Sequence, residues 1–188
     1  MIELEILVEV YDPFDVALSH LSKYNFNGKK EIIDKYFYDP LRPALKPYCD
    51  NKLYASFRTR KKNNQVYLTY KNDHYENGHW QYSDEYEVSV SAADTLDSII
   101  ANLGLKELLT LQSEKHFFIY KDYEIVLENV RNLGTFLEVE LKKEITENDV
   151  HSHKCAIQSF INSLDLHVSE ELNCGKPELY LARNKIII

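Results

Sequence analysis

Residues 2–10 alternate. Ile2, Leu4, Ile6, Val8 and Val10 fall on one face of an extended chain, and Glu3, Glu5, Leu7 and Glu9 on the other. That period of two is the signature of a half-buried strand. Asp12 followed by Pro13 reads as an N-cap and first helical residue, so a short helix is expected from about Phe14 to Tyr24. A second strand is expected from Lys29 to Tyr38, and Pro40, Pro43 and Pro47 make residues 39–50 a loop. Alternation resumes at Leu53–Lys61 and Gln65–Lys71, joined at Asn63-Asn64 in a hairpin. Residues 74–80, with Asn77-Gly78, read as a polar loop that includes Trp80. Tyr82–Ser91 reads as a strand, and Asp94 as the cap of a helix that Gly104 ends. Strands Lys115–Tyr120, Tyr123–Val130 and Thr135–Leu141 follow, the last two joined by a turn at Asn132-Leu133-Gly134. Residues 147–164 carry helical periodicity through Val150, Ala156, Ile157, Phe160 and Ile161.

The pattern amounts to eight strands and three helices with no repeat and no Gly/Ser linker, so residues 1–188 are expected to form a single domain. Strands joined by tight turns are antiparallel. The expected fold is therefore α+β: an eight-stranded antiparallel β-barrel, closed, with helices packed outside. An open sheet packed against helices is the competing architecture.

Composition narrows the partners. At 188 residues, 44% hydrophobic and 28% charged, the chain can bury a substantial core. Fourteen tyrosines favour sheet. A formal net charge of -8 argues against nucleic acid as a partner, since that affinity rests on a basic surface. Cys49, Cys155 and Cys174 share no metal-type spacing and read as reduced thiols. Glu3, Glu5 and Glu9 interrupt the first apolar stretch, and no apolar run reaches the roughly 20 residues a spanning helix needs. The expected setting is cytoplasmic, with no membrane partner.

The polar faces of the strands are chemically sorted. Glu3 with Glu5, Glu85 with Glu87, and Glu138 with Glu140 each occupy one face at i, i+2, as do Arg58 and Arg60; Lys71 ends the hairpin partner of the arginine strand. With the apolar faces turned outward under helices, these side chains would line a tunnel. Arginine forks match phosphate oxygens, and hard divalent cations are held by carboxylates together with substrate phosphates. A lining of both signs suits a metal–polyphosphate complex. Lys61 and Lys62, next in the chain, read as exposed hairpin lysines. His151 and His153 point in different directions on a helix and are not read as metal ligands. His116 is expected to face away from Lys115, and Tyr120 to face the helices.

In their order and spacing these motifs resemble the CYTH superfamily, the triphosphate tunnel enzymes, over nearly the whole chain. Glu3-Leu4-Glu5-Ile6-Leu7 resembles its N-terminal Glu-x-Glu-x-Lys signature, and Phe57-Arg58-Thr59-Arg60 its Arg-x-Arg strand. Leu68-Thr69-Tyr70-Lys71 resembles the lysine strand, Glu85-Tyr86-Glu87 the acidic pair, and Lys115 the start of the Lys-x-Arg strand. Val126-Leu127-Glu128-Asn129-Val130 is similar to its Leu-Asp-Glu-Val segment, and Gly134-Thr135-Phe136-Leu137-Glu138-Val139-Glu140 to its closing strand. Departures are concentrated among the cations. Leu7 stands where the signature has lysine, Phe117 where the Lys-x-Arg strand has arginine, and Ser83 where many members have arginine; Glu128 replaces aspartate.

The resemblance implies a metal-dependent enzyme acting on a nucleoside or inorganic triphosphate, either like a class IV adenylate cyclase or as a triphosphate hydrolase such as a thiamine triphosphatase. It implies catalytic roles for Lys71, Lys115 and Arg58, and substrate contacts from these with Arg60, Glu85 and Glu87. Mg²⁺ or Mn²⁺ would sit among Glu3, Glu5, Glu128, Glu138 and Glu140. A homodimer is left open. The alternative is a catalytically weakened nucleotide- or polyphosphate-binding protein on the same fold, because Leu7 and Phe117 replace cations. On the first reading Leu7→Lys raises triphosphate affinity or turnover; if the tunnel is repacked around Leu7, it costs stability instead.

Overall fold

The computed structural model describes residues 2–48 and 52–186, so Cys49 lies outside the described residues. The strands are β1 (Ile2–Glu3), β2 (Glu5–Val10), β3 (Asn25–Tyr38), β4 (Ala55–Lys62), β5 (Gln65–Glu76), β6 (His79–Val90), β7 (Lys106–Tyr120), β8 (Tyr123–Val130) and β9 (Gly134–Leu141). They form one antiparallel sheet in the order β1-β6-β5-β4-β3-β7-β8-β9-β2. The two ends of that order, β1 and β2, are one strand interrupted at Leu4. Its first half pairs with β6 and its second with β9, which brings the sheet round into a nearly closed barrel. Counted without that interruption, the strands among the described residues number eight, as expected.

The apolar faces turn outward and are covered. Leu4, Ile6, Val8 and Val10 pack beneath α1 (Phe14–Leu21) and α3 (Val150–Asn162), against Ala17, Leu21, Ile157 and Ile161. A third helix, α2 (Ala93–Asn102), covers Phe37 with Leu96 and Ile100. Tyr120 stacks on Phe160 of α3, and His116 packs on the outer side against Phe14. Parity does the rest: a strand whose apolar residues face the helices must send its alternate residues into the barrel.

Several local expectations are corrected. Asp12 does not cap α1; Pro13 is the residue before the helix, and the Asp12 carboxylate accepts the backbone N–H of His167 instead. Asp94 lies inside the first turn of α2, after Ala92, and makes no capping bond. Residues 74–80 are not a loop. β5 and β6 run on to a two-residue turn at Asn77 and Gly78, both with positive φ, as such hairpin turns require. Trp80 is therefore a strand residue and is buried. β7 starts nine residues before Lys115, at Lys106.

The largest omission is a fourth helix, α4 (Lys176–Arg183). Its Leu181 joins Leu7, Tyr36, Leu109, Leu133 and Phe136 in an apolar cluster that fills one end of the barrel interior. Glu178 anchors its start, accepting the backbone N–H groups of Gly175 and Leu53, the latter at 2.9 Å.

Candidate active site

The barrel encloses a cavity of about 700 Å³. Every inward pair named from the sequence reaches it. Arg58, Arg60, Lys71 and Lys115 line it, with Glu3 and Glu5, Glu85 and Glu87, and Glu138 and Glu140. Glu128 is buried behind Lys115.

Strand register sets the rows. Ser56, Lys71 and Glu85 form one row across β4, β5 and β6, and Arg58, Thr69 and Glu87 the next. Glu85 holds two cations, lying 3.2 Å from Lys71 Nζ and 3.8 Å from an Arg58 Nη. Lys71 also donates to Glu3. Against the cost of burial, Glu3 and then Glu5 and Glu85 hold the Lys71 ammonium well above the usual lysine range. Glu87 accepts the Thr69 hydroxyl at 2.9 Å.

The two arginines differ. Asp34 of β3 clamps Arg60 with Nε and Nη2 at 2.7 and 2.8 Å, a bidentate pair that fixes the guanidinium. Arg58 donates only to the Tyr36 hydroxyl, at 3.3 Å, and its buried Nε has no partner among the described residues. A buried charged donor left open is costly unless a ligand completes it.

On the opposite wall, Leu7, Glu138, Val126 and Phe117 form one row across β2, β9, β8 and β7. Two of the three residues that depart from the family's cations, Leu7 and Phe117, thus share a row, and Ile32 packs on its far end against Phe117 and Val126. Glu138 is the only charge in that row.

Its counter-ion comes from a residue sequence reading missed. Lys176, at the start of α4, places Nζ 2.5 Å from Glu138 and 2.7 Å from Glu128. Lys115 stands 3.3 Å from Glu128 and 3.7 Å from Glu138. Against burial, Lys115 and then Lys176 hold Glu138 well below the carboxylate range. A signal for α4 exists in the sequence: Gly175 precedes Lys176, Pro177 falls in the first turn, and Glu178 sits where it can reach back to the helix start. Nothing local says that this lysine enters the barrel.

The carboxylates suit a hard cation. Burial, and then the neighbouring Glu138 charge, push Glu5 up to about 7, and burial raises Glu140 as well. For Glu140 the Lys142 ammonium, 2.8 Å away, offsets part of that rise. Yet among the described residues no three acidic, histidine or cysteine side chains are grouped closely enough to hold a metal ion. The donor set fits a cation that takes the rest of its oxygens from phosphate, the habit of Mg²⁺.

At the other side of the cavity Trp80 donates its indole N–H to Ser83 Oγ at 3.1 Å, and Ser83 donates to Asp73 at 2.6 Å. Ser83, in place of an arginine, is thus part of a hydrogen-bonded wall.

A family model described as CYTH domain matches residues 1–155. A Methanocaldococcus jannaschii protein with a provisional adenylate cyclase name is 25% identical over 151 residues, covering 79% of this chain and 82% of that one. The PH1819 protein of Pyrococcus horikoshii superposes with a TM-score of 0.79 at 21% identity, over 95% of this chain and 99% of its own. A Hippeastrum protein, provisionally an adenylyl cyclase and described as having a dominant triphosphatase activity, superposes at 0.64 with 14% identity, over 100% of this chain and 98% of its own. At these identities the structural matches speak for the fold.

Proposed function

Because the chain belongs to the CYTH domain family, we propose that its cavity binds a nucleoside or inorganic triphosphate and catalyses transfer at phosphorus with the help of Mg²⁺ or Mn²⁺. The observation that carries this reading is Arg58. Its guanidinium is buried, its Nε is unpartnered, and it faces a cavity shared with Lys71 and Lys115. A phosphate oxygen is the partner such a donor needs.

In-line displacement at phosphorus asks a protein mainly for positioning and charge stabilisation. Arg58, Lys71, Lys115 and Lys176 neutralise the phosphates. Glu85 sets the positions of Arg58 and Lys71, and Asp34 that of Arg60, so the carboxylates nearest the cations orient them rather than meet phosphate themselves. Glu3, Glu5, Glu138 and Glu140, with Glu128 behind them, are the residues that would hold the divalent ion. When bound, that ion neutralises charge building on the phosphate oxygens. Attack by water gives hydrolysis of the terminal phosphate. Attack by a ribose 3′-hydroxyl on the α-phosphate gives cyclic nucleotide and pyrophosphate. The relatives' names include both activities.

The apolar side chains of Leu7 and Phe117, where the family pattern has cations, favour a second reading, a binder with little turnover. Incubation with ATP, tripolyphosphate or thiamine triphosphate, with Mg²⁺ or Mn²⁺ and product analysis, separates them. Release of phosphate or of cyclic AMP supports the enzyme; binding without product supports the binder. Absence of both sinks the triphosphate assignment.

A further inference from the structure

Phe117 stands where the family pattern has an arginine, yet its ring is not surrounded by apolar side chains alone. Lys30 Nζ lies 5.0 Å and Lys62 Nζ 5.6 Å from the ring centroid. Both lysines are half-buried. Lys62 points into the cavity by the same parity as Arg58 and Arg60, and Lys30 pairs in register with Lys115. The expectation that Lys62 is an exposed hairpin lysine is thereby corrected.

The two ammonium groups thus lie against one and the same ring. Among the described residues neither has a carboxylate partner in salt-bridge range; Glu124, which also lines the cavity, is the least of the influences on Lys62. Burial and then Lys30 pull Lys62 below the usual lysine range. Like charges do not stay together without compensation. The Phe117 ring face supplies part of it, while leaving the N–H donors free.

The lysines also continue a ladder. Arg58, Arg60 and Lys62 follow one another along β4 at two-residue steps, roughly 6–7 Å each. Arg60 is occupied by Asp34, so beyond Arg58 the next cations with open donors are Lys62 and Lys30. Each ammonium offers up to three donors to non-bridging oxygens.

We infer that Lys30 and Lys62, held over Phe117, form a second phosphate subsite at the cavity mouth that takes the distal phosphates of a linear polyphosphate whose other end occupies the Arg58–Lys71–Lys115 centre. This rests on the triphosphate reading of that centre and extends it from a ligand of three phosphates to a longer chain.

The test is calorimetric titration in metal-free buffer with orthophosphate, tripolyphosphate and a chain of about ten phosphates, using wild type and Lys30→Met/Lys62→Met. In the double variant, affinity for the long chain is expected to fall at least tenfold and for tripolyphosphate less than threefold. Equal losses for both ligands would place the lysines in the central site and overturn the inference. So would an unchanged long-chain affinity. If wild type binds neither polyphosphate in this buffer nor with Mg²⁺ added, the triphosphate reading itself falls. Lys30→Gln and Lys62→Gln, each expected to give part of the same selective loss, serve if the double variant does not fold.

Discussion

Lys176 Nζ and Glu138 Oε2 lie 2.5 Å apart, joining the first turn of a C-terminal helix to the wall of the barrel it caps. The contact makes α4 part of the cavity rather than a cover over it. Lys176→Met should leave Glu138 and Glu128 under-compensated. Removing one partner of a buried pair costs about 3–5 kcal/mol. Glu138 sits below the usual carboxylate range, so its ionised form stabilises the fold at neutral pH, and that contribution is lost as pH falls. The deficit of the variant should therefore be large at pH 7.5 and shrink below pH 5. Thermal melts across that range check it, and addition of Mg²⁺ with tripolyphosphate should recover part of the loss.

Leu7 answers the question of the missing lysine. It is buried in the apolar cluster with Phe136 and Leu181, and Glu138 beside it already has Lys176. Leu7→Lys should destabilise the protein by about 2–4 kcal/mol without raising triphosphate affinity, since it buries a second ammonium next to the first. Combined with Lys176→Met the cost should be less than the sum, because one lysine can stand in for the other. A double variant no better than additive would show that the two positions do not share Glu138.

Arg58 and Arg60 should separate binding from support. Arg58→Lys removes the open Nε while leaving a charge. It should weaken tripolyphosphate binding at least tenfold, worth about 1.4 kcal/mol or more, with little change in melting temperature. Arg60→Lys breaks the bidentate clamp on buried Asp34 and should act chiefly on stability. Isothermal titration and melting curves on both variants test the contrast.

Glu178 should make stability fall with alkalinity. Burial pushes its carboxyl up to about 7. A group raised above its unfolded value favours the fold at low pH, and that advantage disappears as pH rises through the folded pKa. At pH 5 the wild-type carboxyl is itself protonated, so Glu178→Gln should lie close to wild type there. Between pH 5 and pH 8 the variant should gain on wild type by about 3 kcal/mol at most. A variant that loses ground to wild type as pH rises would contradict the assignment.

The barrel was legible because its strands alternate and its turns are short, and the inward pairs because parity needs no tertiary information. Arg58, Lys71 and Glu138 follow from period two alone. Three things were not legible for physical reasons. Asp94 is a good capping residue that the chain does not use, since helix entry is set by α2 packing on Phe37. Trp80 sits among polar neighbours, yet the tight Asn77-Gly78 turn extends the ladder through it. Lys176 meets Glu138 across 38 positions, a closure that only the docking of Leu181 on the barrel end fixes. Lys62 joins them: its exposure depended on Phe117, a residue that sequence reading treated only as a loss.

The interruption at Leu4 has a consequence for motion. Among the described residues the ring of strands is completed by two register pairs, Ile2 with Asp84 and Glu3 with Ser83. Every other seam of the barrel is longer. Glu3 also grips Lys71 inside the cavity, so the weakest seam carries a side chain of the site. A ligand that draws Lys71 and Glu3 together fastens that seam from within. Amide hydrogen exchange at Ser83 and Asp84 should then report occupancy directly, slow when the cavity is filled and fast when it is empty, while the amides of β8 stay unchanged.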